Sequence, residues 1–139
     1  MLSIDTKTMT ISLTRGDTAS IVFSAVDKNG TTYVPSTGDK LRFAVAKKVG
    51  AEPIFEINTT KTAFNTIDDF WTITITNQWY EKDEDENLVL VDGKPIDLFK
   101  FKDYVWDVQL TNSGGVNTII GATDDITPVF RVLGEVATE

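Results

Sequence analysis

Apolar and polar residues alternate along much of this chain, with the two-residue period of a strand that turns one face to a core and the other to water. In Thr10-Ile11-Ser12-Leu13-Thr14 and in Ala19-Ser20-Ile21-Val22-Phe23 every second residue is apolar. The pattern returns in Leu41-Arg42-Phe43-Ala44-Val45, in Trp71-Thr72-Ile73-Thr74-Ile75-Thr76 and in Tyr104-Val105-Trp106-Asp107-Val108-Gln109-Leu110-Thr111. The alternation predicts strands over residues 9–14, 18–26, 31–34, 41–47, 53–57, 71–76, 88–91, 95–99, 104–111, 116–121 and 128–136. Residues 9–14 and 18–26 are expected to pair across Arg15-Gly16-Asp17. One helical turn is expected over residues 77–85, with Asn77 as its N-cap.

Turn-forming residues separate these segments: Asp27-Lys28-Asn29-Gly30, Pro35-Ser36-Thr37-Gly38, Asp92-Gly93-Lys94 and Asn112-Ser113-Gly114-Gly115. Asn and Gly tolerate the positive φ that such turns demand. Short strands with frequent turns and almost no helix predict an all-β, antiparallel β-sandwich of about seven to nine strands. The alternation places Ile11, Leu13, Ile21, Phe23, Leu41, Phe43, Val45, Ile73, Ile75, Trp106, Val108, Leu110, Phe130 and Val132 in its core. Thr72, Thr74 and Thr76 face outward.

With 139 residues, 41% of them hydrophobic and 10% aromatic, the chain is expected to form a single domain over residues 1–139. Residues 81–102 read as an inserted loop or hairpin. The excess of 21 acidic over 13 basic residues gives a net charge of -8. Such a surface repels phosphate backbones and anionic lipid, so neither nucleic acid nor membrane is an expected partner. Cysteine and histidine are both absent. That removes thiol nucleophiles, imidazole bases and the usual zinc ligands, and neither an enzymatic role nor a cofactor is expected. The opening Met1-Leu2-Ser3-Ile4-Asp5-Thr6-Lys7 lacks the basic start and apolar stretch of a signal peptide.

Four features invite a chemical reading. Arg15-Gly16-Asp17 spells an integrin-binding tripeptide, but its place between two strands favours a structural bend at Gly16. Glu81, Asp83, Glu84, Asp85 and Glu86 form an acidic run, with Asp124-Asp125 a second. Calcium favours such oxygen-rich loops, yet the spacing of a dedicated calcium loop is missing and Lys82 interrupts the run, which favours a solvated loop. No pair of carboxylates marks itself as a glycosidase dyad. Trp79, Tyr80, Phe99 and Phe101 flank the acidic insertion, where aromatic rings either stack on a sugar, anchor a protein interface or pack the insertion onto the sandwich.

Four motifs then fall in order along the chain: Arg15-Gly16-Asp17-Thr18 after Ile11; Asp27, Gly30 and Tyr33; Asp39 before Leu41-Arg42-Phe43-Ala44-Val45; and Tyr104-Val105-Trp106-Asp107-Val108-Gln109-Leu110. In order and spacing they resemble the N-terminal domain of baseplate upper proteins of phages of Gram-positive bacteria, and related small phage and prophage tail proteins. The resemblance spans residues 11–132. It implies an immunoglobulin-like sandwich that attaches one virion component to another, without catalytic residues. The segment before Tyr104 is longer here than in that family, and Asp103 stands where the family often has a Gly. Tail, baseplate, capsid and fibre attachment all stay open.

The expectation is therefore a non-enzymatic structural protein of the phage virion, made in the bacterial host cytoplasm. Its partners would be other virion proteins and copies of itself in a homo-oligomer. Residues 81–102, with Trp79, Tyr80, Phe99 and Phe101, are the expected partner surface, and deleting residues 82–100 is expected to spare folding. The alternative is a carbohydrate-binding or host-surface adhesion module using the same aromatics on a glycan.

Overall fold

A computed structural model describes residues 2–26, 29–76, 79–99 and 102–134. Strands β1 (Leu2–Asp5), β2 (Thr10–Thr14), β4 (Lys40–Ala46), β5 (Pro53–Thr60), β9 (Asp103–Asn112), β10 (Gly115–Ile120) and β11 (Val129–Leu133) form one sheet. Its order is β1-β2-β11-β9-β4-β5, with β10 also on β9. Strands β3 (Ala19–Val22) and β6 (Thr72–Ile75) form a second, facing sheet. A two-residue hairpin, β7 (Leu90–Val91) with β8 (Lys94–Pro95), and one short helix, α1 (Ile67–Trp71), complete the described elements. The protein is an all-β sandwich.

The alternating residues build it as their spacing requires. In β2, Ile11 and Leu13 point inward, and in β3 Ala19 and Ile21 do. Leu41, Phe43 and Val45 of β4 lie beside Leu110, Val108 and Trp106 of β9 in register. Every residue predicted for the core is buried, in one cluster that also takes in Phe70, Trp71, Trp79, Phe99 and Tyr104. Trp106 sits at its centre, its ring 5.7 Å from that of Phe43 and 6.0 Å from that of Phe23. Its indole Nε1 donates to the carbonyls of Met9 at 3.0 Å and Val129 at 3.1 Å.

Two expectations are corrected. Strands β2 and β3 do not pair with each other. Gly16, at φ +95°, turns the chain from one sheet to the other, so the apolar faces of β2 and β3 oppose each other across the core. The freed edge of β2 instead takes β11 in parallel, Ile11 beside Phe130 and Leu13 beside Val132. The sandwich is thus mixed rather than purely antiparallel. Among the described residues its two sheets hold nine strands, seven and two, within the expected number, and β7 and β8 shorten the hairpin expected at residues 88–91 and 95–99.

The expected helical turn over residues 77–85 is not found where the chain is described. Asn77 lies outside the described residues. Beyond it, single bridges join Tyr80 to Asp97 and Lys82 to Leu88. The carboxylate of Asp83 accepts from the backbone of Asp85 and Asn87, a local turn that competes with a helix. The helix falls earlier, at α1, where Thr66 and Asp69 make a reciprocal capping box. Trp71 ends that helix instead of opening a strand, and is buried all the same. Residues 31–34 contribute only a bridge, Val26 to Thr32, in place of a strand.

Candidate functional site

The inserted segment folds back into a three-ply ribbon. The Glu81 amide donates to Ile96 at 2.9 Å, Val89 to Glu81 at 3.0 Å and Leu98 to Trp79 at 2.9 Å. Two aromatic residues root it in the core. Trp79 is 2% exposed and Phe99 fully buried. Their rings lie 5.6 Å apart at 67°, and Phe99 meets Tyr104 edge-on at 4.8 Å. Neither ring is free to stack on a sugar or meet a partner, because both fill the space between the ribbon and the sheet. The expected role of Trp79 and Phe99 in partner contact is corrected accordingly. Tyr80 is half-buried beside them, and Phe101 lies outside the described residues. Deleting residues 82–100 would also remove the buried Phe99, so that deletion is not expected to leave the core whole.

Polar groups fasten the ribbon to the turn between β2 and β3. Arg15 Nη1 donates to Asp97 Oδ2 at 2.7 Å, and Trp79 Nε1 to the Asp17 carbonyl at 3.1 Å. The Arg15-Gly16-Asp17 triplet is a structural turn, with its arginine and a backbone carbonyl occupied. The ribbon leaves four aliphatic side chains exposed, Leu88, Leu90, Val91 and Leu98, in a segment whose surface also carries Glu81, Asp83, Glu84, Asp85 and Asp92. Periodicity alone hid this, since Leu88 and Leu90 alternate as core residues do. Within the acidic run Lys82 lies 4.0 Å from Glu86. Among the described residues no three carboxylates converge on one point as a cation site requires.

Two further sites lie on the sandwich. The first is a pocket of about 140 Å³ on the outer face of the large sheet, near the end of β4. Ala44, Ala46 and Val105 floor it, and loop residues including Val49, Gly50 and Pro128 wall it. Arg42 and Asp107 close one end. Arg42 Nε donates to Glu56 at 2.8 Å, and this bond chiefly holds the Glu56 carboxyl below its ordinary range. Asp107 is pushed the other way. Burial raises its pKa, opposed by Arg42 at 3.7 Å, and its Oδ1 is buried without a hydrogen bond.

The second site centres on Tyr33, whose hydroxyl donates to the buried carboxylate of Asp39. The same oxygen of Asp39 accepts from the Ser36 amide at 3.0 Å, closing the Pro35–Gly38 turn. Asn112 Nδ2 donates to the Tyr33 hydroxyl at 3.3 Å. The hydrogen bond to Asp39 is the main cause of a raised Tyr33 pKa. Shallow grooves flank the ring, lined on one side by Ser24, Asn117 and Thr118 and on the other by Thr37, Lys40 and Ser113.

No family model, curated protein or solved structure matches this chain.

Proposed function

We propose that this chain is a non-enzymatic structural component of a bacteriophage particle, an assembly module that joins other virion proteins and copies of itself. The observation that carries the reading is the ribbon. Four exposed aliphatic side chains stand on an insertion that a buried Trp-Phe pair and an Arg-Asp bond hold in place. A fastened apolar surface loses little conformational entropy on docking, which favours a permanent protein contact. The motifs that resemble baseplate upper proteins support the same reading. They supply strands β2, β4 and β9 of the large sheet and the Tyr33–Asp39 bond that closes the turn before β4. Its place in the particle is the tail or baseplate, or an attachment point of capsid or fibre.

The test replaces the apolar tips without touching the root. A Leu88→Ser, Leu90→Ser, Val91→Ser variant should fold as the wild type does, by circular dichroism, yet be missing from purified particles. Incorporation at the wild-type level would refute the ribbon as the assembly surface.

A glycan-binding module is the second reading, and the Tyr33 grooves favour it through a half-buried ring among amides and hydroxyls. Glycan-induced NMR shifts confined to Tyr33, Asn112 and Asn117 would support it.

A further inference from the structure

Phe64 is 99% exposed, the most exposed large hydrophobic side chain among the described residues. Its loop is nevertheless tightly built. Asn65 Oδ1 accepts from the Thr62 amide at 2.8 Å, and Asn65 Nδ2 donates to the Thr60 carbonyl at 3.0 Å. Lys61 Nζ reaches the Asn65 carbonyl at 2.8 Å, and the Phe64 amide donates to Thr62 Oγ1 at 3.2 Å. Such a network fixes the backbone that carries the ring. Fixed aromatic residues make effective interface anchors, since little freedom is lost when they dock.

The pocket on the outer sheet face has the complementary properties. Its volume of about 140 Å³ is close to the ~150 Å³ of an apolar cavity that takes benzene. Alanines at 44 and 46 leave the floor unfilled, and Arg42 and Lys48 offer cations to the face or rim of a ring. The two features cannot meet within one molecule. Pro53 at the start of β5 lines the pocket, and Phe64 follows its end at Thr60. An eight-residue strand separates them by about 25 Å. Charge is complementary too: exposed Asp68 and Asp69 follow Phe64, while Lys48 and Arg42 line the pocket of an otherwise acidic protein, Arg42 also facing Asp107 at its end.

We infer that Phe64 of one copy inserts into the pocket above Ala44 and Ala46 of a second copy, making a head-to-tail contact. This rests on the reading of the chain as an assembly module and names the self-contact that module uses. Such a contact is heterologous, so successive copies close into a ring if the rotation allows and otherwise extend.

Sedimentation velocity across a concentration series tests it on the full chain. Wild type should self-associate. Phe64→Ser, which alters no buried group, should weaken association about thirty-fold or more, the range for losing an interface anchor. Ala46→Leu should do the same by filling the pocket, with Ala51→Leu as a rim variant should the first disturb the sheet. Mixing Phe64→Ser with Ala46→Leu is the decisive experiment. One supplies a pocket and the other a ring, so the mixture should yield a one-to-one dimer and nothing larger. Unaltered self-association of Phe64→Ser would overturn this contact while leaving the assembly reading standing. A wild type that stays monomeric at every concentration would overturn it as well, and ribbon-dependent entry into particles would then decide the broader reading separately.

Discussion

The indole nitrogen of Trp79 donates a 3.1 Å hydrogen bond to the backbone carbonyl of Asp17, tying the inserted ribbon to the turn that carries the chain between sheets. The same ring packs against Phe99 and Phe130. Trp79→Phe keeps most of that packing and leaves the Asp17 carbonyl without its indole donor, which should cost about 1–2 kcal/mol. Trp79→Ala should cost about 3–5 kcal/mol through the cavity it leaves. Urea titration measures both. A Trp79→Ala protein as stable as wild type would contradict the rooted ribbon.

Trp106 has a similar double attachment, to aromatic neighbours and to the carbonyls of Met9 and Val129. Trp106→Ala should destabilise by about 3–5 kcal/mol, a large part of a domain's total stability. Trp106→Phe should fall between that value and wild type, because two carbonyls lose the indole as a donor, that of Met9 keeping the Val129 amide. Equal stabilities for the Phe variant and wild type would show that those bonds contribute nothing.

Tyr33→Phe removes the hydroxyl that donates to buried Asp39 and accepts from Asn112. The loss should be about 1 kcal/mol or more, since the carboxylate stays buried with the Ser36 amide as its other donor. Thermal unfolding of the two proteins at neutral pH gives the difference. No change in midpoint would mean that water replaces the hydroxyl at no cost.

Acid should destabilise the protein through Glu56 and Asp103, whose carboxyls are held low chiefly by hydrogen bonds from Arg42 and Arg131. A depressed folded-state pKa gives stability that is present above the unfolded value and lost as pH falls through the folded one. The window therefore lies at and below the ordinary carboxylate range, near pH 4 and under. Asp107 works in the opposite sense. Its raised pKa favours the folded state at low pH, and that contribution is lost as pH rises through it. Asp107→Asn should accordingly be neutral or stabilising at pH 7. Stability curves of Arg131→Ala and Asp107→Asn from pH 3 to pH 8 check both signs, and a clear loss in Asp107→Asn at pH 7 would contradict the second.

Strand periodicity made the sandwich core readable because most residues in it alternate with polar neighbours, as Trp106 does with Asp107. Partner strands were harder. Nothing in Arg15-Gly16-Asp17 distinguishes a hairpin turn from a step between sheets, and the parallel pairing of β2 with β11 joins segments more than a hundred positions apart. The Thr66–Asp69 capping box was the available sign of α1, but it opens only a five-residue helix without an apolar repeat. At the ribbon, sequence singled out aromatic side chains of which two, Trp79 and Phe99, prove to be buried. Aromatic residues beside an acidic loop read equally as contacts or as roots, and only packing shows that Trp79 and Phe99 point inward while Leu88, Leu90 and Val91 face out. Phe64 and the pocket floored by Ala44 and Ala46 lie far apart along the sheet, so no local pattern links them.

Quantitative mass spectrometry of phage particles purified from the producing host bears most directly on the central claim. The chain should be present at a fixed copy number per particle, alongside the tail and capsid proteins. Its absence from particles in which those proteins are present would contradict a structural role in the virion.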